Sequence, residues 1–194
     1  HALQLLLAPR FMTGSNWQST DVQPGVVALF EKRYNPALRM RYGVMYNQDL
    51  FGPMIIPLVD VYYQQADSRW TFSGLLPIKS KISYRVNSNL SVGMQHLGLV
   101  TSYPLAAQGA GYMERKSIDL SLFSQYRLAR NIHAELKLGY ALEREYAQYA
   151  DDDKLDARIA VIEIGAERTR LNPSVSDGFF GGLRLFYQIV IDKQ

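Results

Sequence analysis

The sequence predicts an all-β fold, a transmembrane antiparallel up-and-down β-barrel of about 10 to 12 strands, and three observations predict it. Apolar residues recur at every second position through most of the chain, with almost no helical periodicity. Three hairpins read in this way keep every apolar residue on one face. The alternating runs last about a dozen residues, long enough to cross a bilayer at a tilt of ~45°, whereas globular strands are usually half that length.

The first run, 2–12, contains ALQLLLA and reads as a strand, followed by a polar connection near 13–23 (TGSNWQSTDVQ). At Asn35, Pro36 and Ala37 a three-residue loop pairs Tyr34 with Leu38, which sets Phe30 opposite Tyr42 and Glu31 opposite Arg41. Strands over 56–65 and 69–76 come next. At Asn87, Ser88 and Asn89, Val86 meets Leu90, Tyr84 meets Val92 and Arg85 meets Ser91. A Gly-rich connection near 101–112 (TSYPLAAQGAGY) leads to the clearest pair of strands. Ile118, Leu120, Leu122, Tyr126 and Leu128 alternate with Asp119, Ser121, Gln125 and Arg127. Ile132, Ala134, Leu136, Leu138, Tyr140 and Leu142 then alternate with His133, Glu135, Lys137, Gly139, Ala141 and Glu143. Pairing Leu128 with Ile132 sets Arg127 opposite His133 and Gln125 opposite Glu135, with Arg127 diagonal to Glu135.

Beyond the connection at 147–154 (AQYADDDK), runs over 155–169 and 178–191 bring the count to about eleven strands. Single-chain bacterial barrels have an even number. Parity is restored either by a strand outside this sequence or by reading LLPIKS, at 75–80, as a kink within one strand and not a turn. The chain opens on His1, without Met or a charged leader, and an incomplete N-terminus is the expectation.

Alternation alone does not separate a soluble barrel, apolar inside, from a membrane barrel, apolar outside. Strand length favours the membrane. So do 13 Tyr, 8 Phe and 2 Trp, many at strand ends (Phe11, Tyr34, Tyr46, Trp70, Tyr140, Tyr146) where an interfacial girdle would sit, although Tyr is also an ordinary strand former. Gly43, Gly93, Gly139 and Gly182 fall on the charged face, where small residues leave room for long side chains to fold across a lumen. With 194 residues, one domain over 1–194 is expected. The formal charge is +3 with signs interspersed, so no basic block points to nucleic acid. The absence of Cys excludes disulfides, thiolate metal sites and cysteine nucleophiles. No run reaches the ~18 apolar residues of a membrane helix.

Gly43 and Tyr46, Phe51 with Gly52 and Pro57, Tyr62 with Trp70, Leu76 with Pro77, Tyr84, and Ser102 with Tyr103 form a G-x-x-Y, F-G-x-x-x-x-P, Y…W, L-P and S-Y series. In these positions the stretch 42–105 resembles a family of uncharacterised bacterial outer-membrane β-barrel proteins that carry a domain of unknown function. The resemblance covers about a third of the chain closely. It implies a barrel in the bacterial outer membrane and brings no activity with it. Members look longer at the N-terminus, and RLFYQIVIDKQ lacks the terminal aromatic that many such barrels present for assembly.

The histidines are His1, His96 and His133. His133, opposite Arg127, reads as a lumen residue in a polar network. His96 lies near a strand end with Ser102 several residues on, and no Gly-x-Ser-x-Gly elbow surrounds any serine. Asp151, Asp152 and Asp153 lack EF-hand spacing and read as a solvated loop tip, and GFFGGL at 178–183 has no helix after it to hold phosphate. No catalytic residue, metal site or cofactor is therefore expected. What remains is a lumen network of Arg39, Arg41, Glu31, Arg85, Asp119, Arg127, His133, Glu135, Lys137, Arg158, Glu163 and Arg184. Balanced signs in so small a barrel would pair across the interior and fill most of it, leaving a narrow or plugged lumen, since an open porin needs ~16 strands. The expected function is that of a non-enzymatic structural or accessory subunit of an envelope complex, in contact with outer-membrane lipid and with other envelope proteins. The alternatives are a narrow passage for small or apolar solutes and a lipid-modifying enzyme.

Overall fold

In a computed structural model, which describes residues 2–12, 21–105 and 111–189, the chain forms β-strands and no α-helix among those residues. In order they are β1 (Ala2–Leu7), β2 (Arg10–Phe11), β3 (Val22–Gln23), β4 (Gly25–Arg33), β5 (Leu38–Asp49), β6 (Gly52–Tyr63) and β7 (Trp70–Leu76). There follow β8 (Lys79–Arg85), β9 (Leu90–Pro104), β10 (Tyr112–Arg127), β11 (Ile132–Tyr149), β12 (Ala157–Ile159), β13 (Ile162–Ile164) and β14 (Gly178–Tyr187). One path, β1-β4-β5-β6-β7-β8-β9-β10-β11-β14, is antiparallel throughout. No ladder joins β1 to β14 among the described residues, so this ten-stranded sheet is open.

The three short hairpins have the registers that alternation demands. Phe30 faces Tyr42 and Glu31 faces Arg41. Tyr84 faces Val92 and Arg85 faces Ser91, while Arg127 faces His133 and Gln125 faces Glu135. Asparagine fixes two of the turns locally. Asn35 Oδ1 accepts the Ala37 and Leu38 amides at 2.9 Å, and Asn87 Oδ1 accepts those of Asn89 and Leu90 at 2.8 and 2.9 Å. These are Asx turns, in which the side chain takes the place of a backbone acceptor.

Several expected elements differ. The run 2–12 is two strands, because Pro9 has no N–H for a ladder; β2 turns away and pairs with β3 inside the polar connection expected at 13–23. LLPIKS is a turn and not a kink, since Leu75 pairs with Lys79 and Gly74 with Ser80. The run 155–169 is not one strand. It folds into the β12–β13 hairpin, with Ala160 at φ 52, and β12 lies parallel to β6 with Arg158 beside Met54. The β7–β8 hairpin covers only the Val59–Tyr63 half of β6, and β12 pairs with the half left bare. Of the connection expected at 101–112, residues 101–104 belong to β9 and Tyr112 to β10; residues 13–20, 106–110 and 190–191 lie outside the described residues.

The sheet curls so that residues several strands apart touch. On the concave side of one end, Leu29, Phe51, Met54, Ile56, Leu58, Tyr112 and Leu155 form an apolar core. The convex side carries the opposite set, including Leu122 (66% exposed), Leu138 (63%) and Leu185 (66%). Among the described residues no helix is long and apolar enough to cross a membrane, which says nothing of strands.

Candidate functional site

The concave face holds three polar groupings, and the strands set their composition through alternate positions. The largest surrounds a cavity of about 750 Å³. Arg39 and Arg41 of β5, Asp119 of β10, Glu135 and Lys137 of β11 and Arg184 of β14 all reach it. Glu135, 4% exposed, accepts from Lys81 Nζ at 3.2 Å and Arg184 Nη2 at 3.1 Å. Arg41 Nε donates to Asp60 Oδ2 at 2.7 Å and its Nη1 to Gln4 at 3.1 Å. The cations are also backed by rings: Lys81 lies 3.9 Å from the Phe123 centroid, Arg39 5.4 Å from Tyr62 and Lys137 5.7 Å from Phe180. Gly93 and Gly139 make this possible. A Cβ at Gly93 would meet Phe123 ring atoms at 2.8 and 2.9 Å, and one at Gly139 the Phe180 ring at 2.5 Å. The small residues thus admit aromatic rings, not only the long charged chains expected from the sequence.

The second grouping closes the apolar end. Glu114 of β10 accepts from Arg158 Nη2 at 2.6 Å and from Arg168 Nη1 at 2.8 Å, with both arginine side chains 2–3% exposed. Glu163 of β13 pairs with the same two guanidinium groups. Arg158 lies 4.4 Å from the Phe51 centroid and Arg168 4.1 Å from that of Tyr149. Arg168 sits in the connection after β13. Burial disfavours its charge, but Glu114 and the Tyr112 hydroxyl outweigh that and raise its pKa. The third grouping ties the β2–β3 arm across the interior. Arg10 Nη2 donates to Asp49 Oδ2 at 2.6 Å and its Nη1 to Thr101 at 3.2 Å. Ser102 donates to Asp49 at 3.1 Å, accepts from the Leu50 amide at 2.9 Å and from Gln23 Nε2 at 3.3 Å.

The expected lumen network therefore divides. Arg39, Arg41, Asp119, Glu135, Lys137 and Arg184 share the cavity, with Glu31 nearby, buried and bonded to Arg33 Nε at 2.9 Å. Arg158 and Glu163 belong to the other end. Arg85 is exposed at the end of β8. Arg127 is not a partner of Glu135: its guanidinium turns to the β8–β9 hairpin, donating to Ser88 O at 2.6 Å and Asn89 Oδ1 at 3.0 Å, because the loop acceptors are nearer than the next residue pair along the strand. His133 stacks on Phe186 with centroids 5.2 Å apart. Alternation placed Arg39, Arg41, Lys137 and Arg184 inward, where they line the cavity, but not Lys79, Glu114 or Arg168. Arg168 lies in an irregular connection without period, and Glu114 precedes the register shift between Lys116 and Ile118.

The Glu114 cluster neutralises and packs its charges, whereas the cavity keeps six cationic side chains against three carboxylates. His96 lies within β9, not near its end, and Ser102 is fully buried among the partners named above. Among the described residues no group of His, Cys, Asp or Glu is placed to hold a metal. Asp153 accepts the Thr169 amide at 2.7 Å and its carbonyl the Tyr112 hydroxyl at 2.6 Å, which makes it a fastener of the connection, while Asp151 and Asp152 are exposed.

One family model, described as Domain of unknown function (DUF6268), matches residues 12–156. No curated protein and no solved structure matches the chain.

Proposed function

The chain belongs to the family of the domain of unknown function DUF6268, and from that premise we propose that it is a non-enzymatic β-barrel of the bacterial outer membrane, a structural or accessory subunit of an envelope complex with a plugged lumen. The observation that carries this reading is the inversion of the two faces. Phe179 (88% exposed), Leu122, Leu138 and Leu185 project from the convex side, while Glu135, Glu114, Arg158 and Asp60 are buried on the concave side. In water that distribution would expose a broad apolar belt, which soluble monomers rarely carry. Against acyl chains it is the stable one.

Two further features support it. Ten consecutive antiparallel strands leave β1 and β14 running in opposite directions, as direct closure of an even-stranded barrel requires. The apolar core, the β2–β3 arm and the Arg158–Glu114–Arg168 cluster occupy one end of the interior, which supports a plugged lumen. The expected partners are outer-membrane lipid and other envelope proteins.

The test is fractionation of envelopes from expressing Gram-negative cells, followed by purification in mild detergent and recording in planar bilayers. The reading expects outer-membrane fractions, a co-purifying envelope protein and no steady conductance. A continuous conductance would favour the narrow passage, which the cavity around Glu135 supports. A monodisperse monomer that needs no detergent would overturn the membrane reading altogether.

A further inference from the structure

We infer that the cavity around Glu135 is a binding site for a small multivalent oxyanion of the phosphate class. The cavity is lined by six cationic side chains and three carboxylates, an excess that ion pairing inside it does not remove. Arg41 is bonded to Asp60, with Glu31 opposite it on β4, but Lys81 and Arg184 share the single carboxylate of Glu135. Among the described residues Arg39, Lys79 and Lys137 make no ion pair, although Glu31, itself bonded to Arg33, lies near Arg39; of the lining carboxylates only Asp119 remains.

Three observations make this a site and not a solvated charge excess. Arg39 Nε is buried without a hydrogen-bond partner among the described residues, and no ion pair holds the rest of its guanidinium, which leaves its Nη atoms for a bound acceptor. The cations are backed by rings, Lys81 by Phe123, Lys137 by Phe180 and Arg39 by Tyr62, and of these three only Lys81 also reaches a carboxylate, that of Glu135. The volume, about 750 Å³, lies in the range of small-molecule sites at ~300–1,000 Å³. Planar guanidinium groups together with ammonium groups suit an oxyanion that presents several oxygens, with Arg39 as the fork and Lys137 as the point charge. A cation meets net repulsion here, and an apolar solute would strip solvent from several charges without replacing it. The phosphate oxygens of a free anion or of a lipid headgroup present the same chemistry.

The inference stands apart from the membrane assignment, because binding is measured on the whole chain in neutral detergent. Inorganic pyrophosphate is titrated calorimetrically into wild type and into Arg39→Gln, Lys137→Gln and Arg127→Gln, with far-UV circular dichroism recorded for each. Saturable binding is expected for wild type and for Arg127→Gln, whose guanidinium lies outside the cavity at the Ser88 carbonyl. Arg39→Gln and Lys137→Gln should each weaken binding about tenfold, as loss of one charge-assisted hydrogen bond implies. Lys137 has no ion-pair partner to orphan, so this variant decides the matter if Arg39→Gln does not fold. Competition by dihexanoyl phosphatidic acid would extend the site to headgroup phosphate, and its failure to compete would restrict the site to free anions. Absence of pyrophosphate binding at millimolar concentration, or equal affinity in wild type, Arg39→Gln and Lys137→Gln, overturns the inference.

Discussion

Glu114 holds two guanidinium groups that are themselves almost without solvent, and its removal would leave the pair with only the half-exposed carboxylate of Glu163, so that one buried positive charge loses its counter-charge. Glu114→Ala should therefore cost ~3 kcal/mol or more of unfolding free energy, because breaking a buried pair leaves a buried charge behind. Arg127→Ala loses only half-exposed bonds at a hairpin and should cost at most ~1 kcal/mol. Urea titration of both variants in the same detergent checks the pair, and equal losses would contradict the contrast between a buried ion cluster and an exposed hairpin contact. This contrast marks how far single residues were legible. Period two placed Arg127 and Glu135 on one face, and both do lie on one strand face; which partner each side chain takes depends on loops and on strands distant in sequence, and no local pattern carries that. Lys81 reaches Glu135 from three strands away.

At the scale of elements, the short hairpins were legible to the residue. A one-residue slip there would have turned every apolar side chain inward, so the pattern admits a single register. The β2–β3 and β12–β13 pairs were not legible. Both are two or three residues long, and their stability comes from the interior they fill instead of from their own alternation. The β12–β13 turn offers a test of that dependence. Ala160 holds φ 52 and its amide donates to the Ile55 carbonyl at 2.9 Å, so Ala160→Pro both forbids the angle and removes the donor. The substitution should lower stability by more than ~1 kcal/mol and expose the connection between β11 and β14 to limited proteolysis, while cleavage elsewhere is unchanged. Resistance of that connection in Ala160→Pro would show that the hairpin is held by the Glu114 cluster alone.

For the whole molecule, the account requires β1 and β14 to meet. The chain has no native cysteine, so disulfide scanning is clean. Leu5→Cys combined in turn with Cys at Phe179, Gly181, Leu183 and Leu185 should give one pairing that oxidises readily in the folded protein, since bridging needs Cα atoms within ~7 Å. Four unreactive pairs would mean that the edges stay apart. The central claim, that the convex face lies against lipid, is tested most directly by fluorescence quenching in reconstituted bilayers. A fluorophore is attached at Leu138→Cys, on the exposed apolar face, or at Ser121→Cys, which is buried on the concave one. The account predicts strong quenching of the Leu138→Cys label by brominated acyl chains and little by aqueous iodide, with the Ser121→Cys label insensitive to bromolipid. Quenching of the Leu138→Cys label by iodide with no response to brominated lipid would contradict it.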